Sequence, residues 1–158
     1  MKDIVIVSPH QDDEIISCFE IIKTAPKNVF IVYNPTGEEI RKQEALKLKS
    51  EFSQIKSQFF MNEIPAALLD TNNTLYFPCK DDTHPAHIQA YFKGYDLWLN
   101  HGMDVVFYST EMNVHYKHEV KDWIEKRKLL NHIYSSQSRL WEMEAKYYLF
   151  EARIKYMK

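Results

Sequence analysis

The sequence predicts an α/β fold in which a parallel sheet is covered by helices on both faces. Short apolar, β-branched runs alternate along the chain with segments of helical periodicity, a pattern typical of parallel strands joined by right-handed crossovers. The first run, residues 3–8, shows no polar alternation, as expected of a strand buried on both faces. Polar clusters follow the predicted strands, where open sheets of this class bind their ligands.

The N-terminal half is predicted to contain two strands and two helices. Residues 3–8 form the first strand, and residues 14–25 form a helix that ends before Pro26. Residues 28–34 form the second strand, closed by the turn-forming sequence NPTG. Residues 38–59 carry apolar side chains at spacings of three and four, which predicts one amphipathic helix. These side chains are Ala45, Leu48, Phe52, Ile55 and Phe59.

The C-terminal half is predicted to contain two further strands and much helix. Residues 74–78 and 104–110 form the strands, and residues 87–101 between them are helical in pattern. From residue 119 the pattern predicts a long C-terminal helical segment, interrupted near residues 135–138. Its heptad-like apolar stripe either packs on the core or joins the subunits of a homo-oligomer. The stripe consists of Leu140, Met143, Tyr147, Phe150, Ile154 and Met157.

Composition is that of a globular protein. The chain has 158 residues, of which 45% are hydrophobic and 27% are charged, and no repeat or linker divides residues 1–158, so we expect a single domain. The net charge of −2 provides no basic field for nucleic acid or an anionic membrane. Without a visible signal peptide or a long apolar stretch, we expect a cytoplasmic protein with Cys18 and Cys79 reduced. The alternative is one disulfide in an exported chain.

The polar loops contain groups that could hold a metal ion. His10 and Asp13 follow the first strand, and His84 and His87 follow the third, so both pairs should meet at one edge of the sheet. Imidazole and carboxylate groups suit zinc or a similar ion, and a catalytic site needs about three such ligands. His10, Asp13 and one histidine of the second pair would provide them, which leaves Asp12 free to act as a base. The alternative is that Asp12 and Asp13 cap the first helix.

Four segments resemble the motifs of one family, in the same order along the chain. The segment PHQDDEIISC resembles the Pro/Ala-His-Pro-Asp-Asp-Glu signature of the PIG-L/LmbE family of metal-dependent N-deacetylases, and THPAH resembles that family's His-Pro-Asp-His segment. The segment GEEIRKQEA resembles its Gly-Glu…Arg-x-x-Glu stretch, and RKLLNHIYSSQ resembles its late segment ending in aromatic-x-Ser-Gln. Together the four segments extend from Pro9 to Gln137, which is most of the chain.

This resemblance implies a Rossmann-like fold and a hydrolytic activity. Zn²⁺, or another divalent transition metal, would be held by His10, Asp13 and His87. Asp12 would be the general base, and His84 would polarise the amide carbonyl or steady the oxyanion. The family's usual reaction removes an acetyl group from an N-acetylated amino sugar, often a conjugate of N-acetylglucosamine. The implied partner is therefore a small N-acetyl sugar or its conjugate, with no nucleic acid and no membrane segment.

The sequence departs from the family pattern at several positions. Gln11 replaces a proline, and Phe19 and Glu20 stand where glycines are common. Ala86 replaces the aspartate of His-Pro-Asp-His, an acid that would orient a histidine, and Asp81 or Asp82 could replace it. These departures leave two alternatives open. One is a metal-dependent amidohydrolase acting on a non-sugar amide, and the other is a catalytically impaired metal- or sugar-binding module.

Two further side chains have a functional and a structural interpretation. Arg41 lies at the sheet edge, where it could bind a substrate hydroxyl or phosphate, or else form an ion pair with Glu38 or Glu44. Glu14 could hydrogen-bond the metal loop, or simply lie in the first helical turn. The histidines outside these motifs are expected to be surface or packing residues. They are His101, His115, His118 and His132.

Overall fold

The protein is described here by a computed structural model covering residues 2–26 and 28–157. The strands are β1 (Ile4–Ser8), β2 (Val29–Tyr33), β3 (Ile55–Phe60), β4 (Thr74–Pro78), β5 (Asp104–Tyr108), β6 (Lys117–Glu119) and β7 (Phe150–Lys155). The helices are α1 (Asp13–Thr24), α2 (Glu39–Glu51), α3 (Pro85–His101), α4 (Trp123–Ile133), α5 (Arg139–Met143) and α6 (Lys146–Leu149). Short 3₁₀ turns lie at Ala66–Leu68 and Ser135–Gln137.

All the strands belong to one mixed sheet with the order β3-β2-β1-β4-β5-β7-β6. The first five strands of this order pair in parallel, whereas β7 is antiparallel to both β5 and β6. The order of the strands reverses between β1 and β4, because β2 and β3 follow on one side of β1 and the chain then returns to place β4 on its other side. Ligand sites in such sheets lie at the carboxyl ends of the strands flanking this reversal. The predicted Rossmann-like α/β fold is confirmed.

Alternate residues of the central strands pack into two separate apolar cores. On one face, Ile6 and Ile31 pack with the buried side chains of α1, α2 and α4. On the other face, Val5, Val7 and Phe77 pack against α3. Because successive strand residues point to opposite faces, strands with apolar residues at every position require helices on both sides.

Helix α3 approaches the sheet closely because it has a glycine at the contact. A Cβ atom at Gly94 would lie 2.6 Å from Cγ of Phe77 in β4. That distance is shorter than any real carbon–carbon contact of this kind, so a larger residue would push α3 away from β4.

Helix α1 is kinked at Cys18, and two cations, the buried Lys126 and the partly buried Arg153, bind the backbone at the kink. Lys126 Nζ donates to the carbonyl of Ile16 at 2.6 Å, and Arg153 Nη1 donates to the carbonyl of Ser17 at 2.8 Å. Glu151 accepts from both cations. Because a buried carbonyl without a partner is costly, these contacts stabilise the break and hold the first turn of α1 in place.

The predicted helix over residues 38–59 is too long. Helix α2 ends at Glu51, Phe52 is extended, and residues from Ile55 form the edge strand β3. Residues four apart share one face in a strand as well as in a helix, so the spacing of Ile55 and Phe59 fits both structures. Pairing with β2 decides in favour of the strand.

The predicted C-terminal helical segment is confirmed up to Leu149, but the residues from Phe150 form a strand instead of continuing the helix, and a homo-oligomer contact stays a prediction. The chain forms two short helices, α5 and α6, and then enters β7 at Phe150. Strand β7 pairs with β5, whose edge would otherwise expose unpaired backbone groups, and the free energy gained by this pairing overrides the helical pattern.

Cys18 and Cys79 are both buried and free, so the alternative of a disulfide is excluded. Within residues 2–26 and 28–157, no helix is long and apolar enough to cross a membrane.

Candidate metal and catalytic site

Three donor atoms from two loops converge at the carboxyl ends of β1 and β4. Nδ1 of His10 lies 3.1 Å from Nε2 of His87. Oδ2 of Asp13 lies 3.3 Å from the first nitrogen and 3.0 Å from the second. The structure therefore brings together the three residues predicted as metal ligands, and it selects His87 rather than His84 for the third position.

The spacing of these atoms fits a small divalent ion. A tetrahedral ion with bonds of about 2.0–2.1 Å separates its ligand atoms by roughly 3.3 Å, close to the observed spacings. Two imidazole nitrogens and one carboxylate oxygen are also the donors that zinc and related transition metals accept. By distance and by chemistry, His10, Asp13 and His87 could hold such an ion.

Hydrogen bonds from the backbone and from neighbouring side chains shape the His10 loop. Asp13 Oδ2 accepts from the amide of His10 at 2.8 Å, and Ser8 Oγ donates to the carbonyl of His10 at 2.6 Å. The same Ser8 oxygen lies 2.9 Å from Oε2 of Glu14, and Oε1 of Glu14 accepts from the hydroxyl of Tyr134. Glu14 is thus connected to the His10 loop by hydrogen bonds through Ser8, which agrees with the first of its two interpretations.

Glu14 is fully buried, and its environment favours the protonated form. Burial raises the pKa of the Glu14 carboxyl to about 7, although hydrogen bonds from Tyr134 and Ser8 oppose this shift. The Ser8 hydroxyl has one proton but two acceptor neighbours, the His10 carbonyl and Glu14. A protonated Glu14 can donate to Ser8, which leaves the Ser8 proton for His10 and satisfies every group.

His87 is oriented by a buried aspartate, Asp82. Its Nδ1 donates to Oδ2 of Asp82 at 2.8 Å, so Nε2 is turned toward His10 and Asp13. Burial disfavours the charged His87 ring, but the carboxylates of Asp13 and Asp82 outweigh this and raise its pKa to about 10. Of the two neighbouring acids, Asp82 therefore orients His87, whereas Asp81 is exposed.

Asp12 is buried beside the three donors but is not one of them. Its side chain makes no capping hydrogen bond to α1 and has no hydrogen-bond partner among the described residues, so the capping interpretation is wrong for Asp12. Burial, reinforced by the charges of Asp13 and Glu14, raises the pKa of its carboxyl. A buried carboxylate that holds a proton more tightly than usual suits a general base.

His84 caps α3 and faces the same cavity. Its Nδ1 accepts from the amide of Ala86 at 3.1 Å, so in the neutral ring the proton is on Nε2. Burial and the neighbouring rings of His10 and His87 lower the pKa of His84, which favours this neutral form. The centroids of the His84 and His10 rings are 4.3 Å apart. His84 can therefore donate one hydrogen bond beside the donor cluster.

These side chains line one cavity of about 290 Å³. One wall carries His10, Asp12, Asp13, His84 and His87. The remaining lining residues are Ile16, Arg41, Thr110, Gln137, Leu140 and Tyr147. This volume is near the lower end of the usual range for small-molecule sites, about 300–1,000 Å³.

No protein-family model, no curated protein and no solved structure matches this chain.

The two remaining segments of the cavity lining, around Arg41 and Gln137, are hydrogen-bonded to each other. Arg41 Nη2 donates to Oε1 of Gln137 at 2.8 Å, and Nε2 of Gln137 donates to the carbonyl of Gln11 at 2.9 Å. Glu44 accepts from the amide of Ser136 at 2.9 Å. Arg41 Nε forms an ion pair with Oε2 of Glu38 at 3.8 Å, which confirms the ion-pair interpretation, whereas substrate binding by Arg41 stays a prediction. Its other N–H groups have no hydrogen-bond partner among the described residues.

Sequence reasoning missed several residues of the cavity. Leu140 and Tyr147 belong to the predicted apolar stripe, which gives no sign of a cavity, and Thr110 carries no signal beyond its place after a strand. The departures at Phe19 and Glu20 lie away from the cavity, since Phe19 is in the core and Glu20 pairs with Arg153 and His118. Histidines 101, 115, 118 and 132 are exposed, as predicted.

Proposed function

We propose that this protein is a metal-dependent N-deacetylase of the PIG-L/LmbE type. It removes an acetyl group from an N-acetylated amino sugar or a conjugate of one. The observation that carries this proposal is the triangle of donor atoms in His10, Asp13 and His87, with sides of 3.0–3.3 Å, beside the free carboxylate of Asp12.

Zinc or a related divalent ion would be held by His10, Asp13 and His87. When bound, such an ion supplies Lewis-acid chemistry, because it lowers the pKa of water and polarises a carbonyl oxygen. Asp82 fixes the tautomer and the orientation of His87, so that Nε2 is available as a ligand.

Asp12 is proposed to move the proton. It lies in the cavity without a hydrogen-bond partner among the described residues, so its carboxylate is free to accept a proton from the attacking water. The raised pKa of Asp12 makes it a stronger base than an exposed aspartate. The same carboxyl can then deliver the proton to the leaving amine, which returns Asp12 to its starting state.

His84 is proposed to stabilise the negative charge that develops on the carbonyl oxygen. Its neutral ring presents Nε2–H to the cavity while Nδ1 is occupied by the amide of Ala86. A preorganised donor of this kind acts without reorganisation during the reaction. On the other side of the cavity, the unpaired N–H groups of Arg41 can bind substrate hydroxyl or phosphate oxygens.

The test is acetate release by protein reconstituted with Zn²⁺, measured on N-acetylglucosamine, its conjugates and a panel of non-sugar N-acyl compounds. Metal-dependent acetate release from the sugar substrates is the expected result. Amide cleavage confined to the non-sugar compounds would favour a different amidohydrolase. Metal binding without turnover on the whole panel would favour a metal- or sugar-binding module.

A further inference from the structure

The three residues that follow β5 contact the loop that holds His84 and His87. Ser109 Oγ donates to Oδ1 of Asp82 at 2.9 Å. Thr110 donates to Oδ2 of Asp82 twice, through its amide at 3.1 Å and its hydroxyl at 3.0 Å. All of these groups are buried, and Asp82 in turn binds His87. Ser109 and Thr110 therefore hold the carboxylate of Asp82 in place, and Asp82 in turn orients the His87 ring.

Glu111 makes the corresponding contacts on the side of His84. Its Oε1 accepts from the amide of Thr83 at 2.6 Å and from the Thr83 hydroxyl at 2.7 Å. Thr83 directly precedes His84, whose ring accepts from the amide of Ala86. Glu111 thus holds the backbone from which His84 enters α3.

The backbone immediately after these residues is in an unfavourable conformation. Met112 has a φ of 58°, and it is the one non-glycine position with positive φ in the described chain. Its side chain is buried, and its amide donates to Ser109 Oγ at 3.1 Å. A methionine in this region persists only where the surrounding structure holds it there, and such positions concentrate near functional sites.

We propose that residues 109–111, the β5 loop, are the positioning device of the site and act on the two histidines separately. Ser109 and Thr110 set the affinity for the metal through Asp82 and His87. Glu111 sets the placement of His84 through Thr83. The inference rests on the proposed function only for the chemical role of His84, because both supports can be measured without turnover.

Two single substitutions separate the two supports. Glu111→Ala should speed hydrogen exchange of the Thr83 and Ala86 amides about tenfold, since the Ala86 amide is bound by the His84 ring. Its Kd for Zn²⁺ should stay within about twofold of wild type. Thr110→Val removes one donor to Asp82, so it should weaken Zn²⁺ binding about tenfold and leave these two amides unchanged.

Conservative and remote variants control for general damage. Glu111→Gln keeps an oxygen that can accept from both Thr83 groups, so in this variant the Thr83 and Ala86 amides should exchange at the wild-type rate. Glu125→Ala removes an exposed carboxylate of α4 that binds Lys23 of α1, and it should change neither readout. If Glu111→Ala does not fold, Thr83→Ala, which removes one of the two donors, should give a smaller change in the same direction.

Steady-state kinetics provide a third measurement of the same variants. With an active wild type, Glu111→Ala should lower kcat about tenfold or more and change KM little, because the donor to the oxyanion is displaced while substrate contacts remain. The inference is overturned if Glu111→Ala leaves the Ala86 amide protected. It is equally overturned if Glu111→Ala and Thr110→Val shift metal affinity and amide exchange by the same factors. An inactive wild type would count against the proposed function, whereas the exchange and Zn²⁺ results would still decide this inference.

Discussion

Nδ1 of His10 and Nε2 of His87 lie 3.1 Å apart, although 77 residues separate them in the chain. Two nitrogen lone pairs at this distance repel unless a proton or a metal ion lies between them. The carboxylate of Asp13, about 3 Å from both nitrogens, is placed to bind either cation. A proton and a metal ion would therefore compete for the space between these three donor atoms.

This competition predicts that metal affinity depends on pH. In the metal-free protein the pKa of His87 is about 10, so the ring is protonated at neutral pH and must lose its proton on binding a metal. The apparent affinity for Zn²⁺ should rise by up to about tenfold per pH unit between pH 6 and 8. Competition against a chromophoric chelator at several pH values measures this slope. A flat profile would contradict the assignment of His87 as a ligand.

Replacing Asp12 with asparagine should separate metal binding from turnover. Asp12→Asn keeps the size of the side chain and leaves the three ligands intact, so the protein should still bind one equivalent of Zn²⁺. Loss of the proton acceptor should lower kcat by roughly 10²–10⁴-fold. Asp70→Asn, at an exposed aspartate outside the cavity, is the matched control. Unchanged turnover in Asp12→Asn would remove this residue from the mechanism.

Glu14 should make the metal-free protein less stable at higher pH. Its folded-state pKa is about 7 against an ordinary value of 4.5, so the native state retains a proton that the unfolded state has lost. The free energy of unfolding should therefore fall as the pH rises from about 4.5 to about 7, by roughly 3 kcal/mol from this group. Glu14→Gln keeps a donor for Ser8 and an acceptor for Tyr134 but cannot ionise. Urea denaturation from pH 5 to 8 should show a flatter profile in this variant, and parallel profiles would argue against a protonated Glu14.

Gly94→Ala tests the close approach of α3 to β4. Helix propensity alone would make this change stabilising by up to about 1 kcal/mol. The contact with Phe77 reverses the sign, and overpacking of this kind costs about 1–3 kcal/mol. Urea denaturation measures the change, and Gly94→Ala should cost less in a Phe77→Ala background, where the two closest atoms, Cγ and Cδ2, are absent. A stabilised single variant would show that α3 has room to move.

The sequence was sufficient to predict the central strands and the convergence of the three candidate metal ligands. Continuous apolar runs such as β1 have few alternatives to a buried strand, and polar groups that follow parallel strands must meet at one edge. The loops after β1 and β4 thus brought His10, Asp13 and His87 together as predicted.

Elements that depend on long-range pairing could not be predicted from local spacing. Strand β7 forms because β5 offers an open edge, and nothing within residues 150–155 reveals that edge. The hydrogen bonds that orient the site residues also depend on contacts between distant parts of the chain. Which of two adjacent acids, Asp81 or Asp82, would orient His87 depends on the position of Thr110, 28 residues further along the chain.

The most direct test is a crystal structure of the protein loaded with one equivalent of Zn²⁺, with anomalous diffraction recorded at the zinc edge. We expect a single strong anomalous peak about 2.0–2.2 Å from Nδ1 of His10, Nε2 of His87 and an oxygen of Asp13. Asp12 should lie next to the ion without ligating it, and His87 should keep its hydrogen bond to Asp82. A peak elsewhere on the protein, or a His87 ring turned away from the ion, would contradict the metal centre on which the proposed function rests.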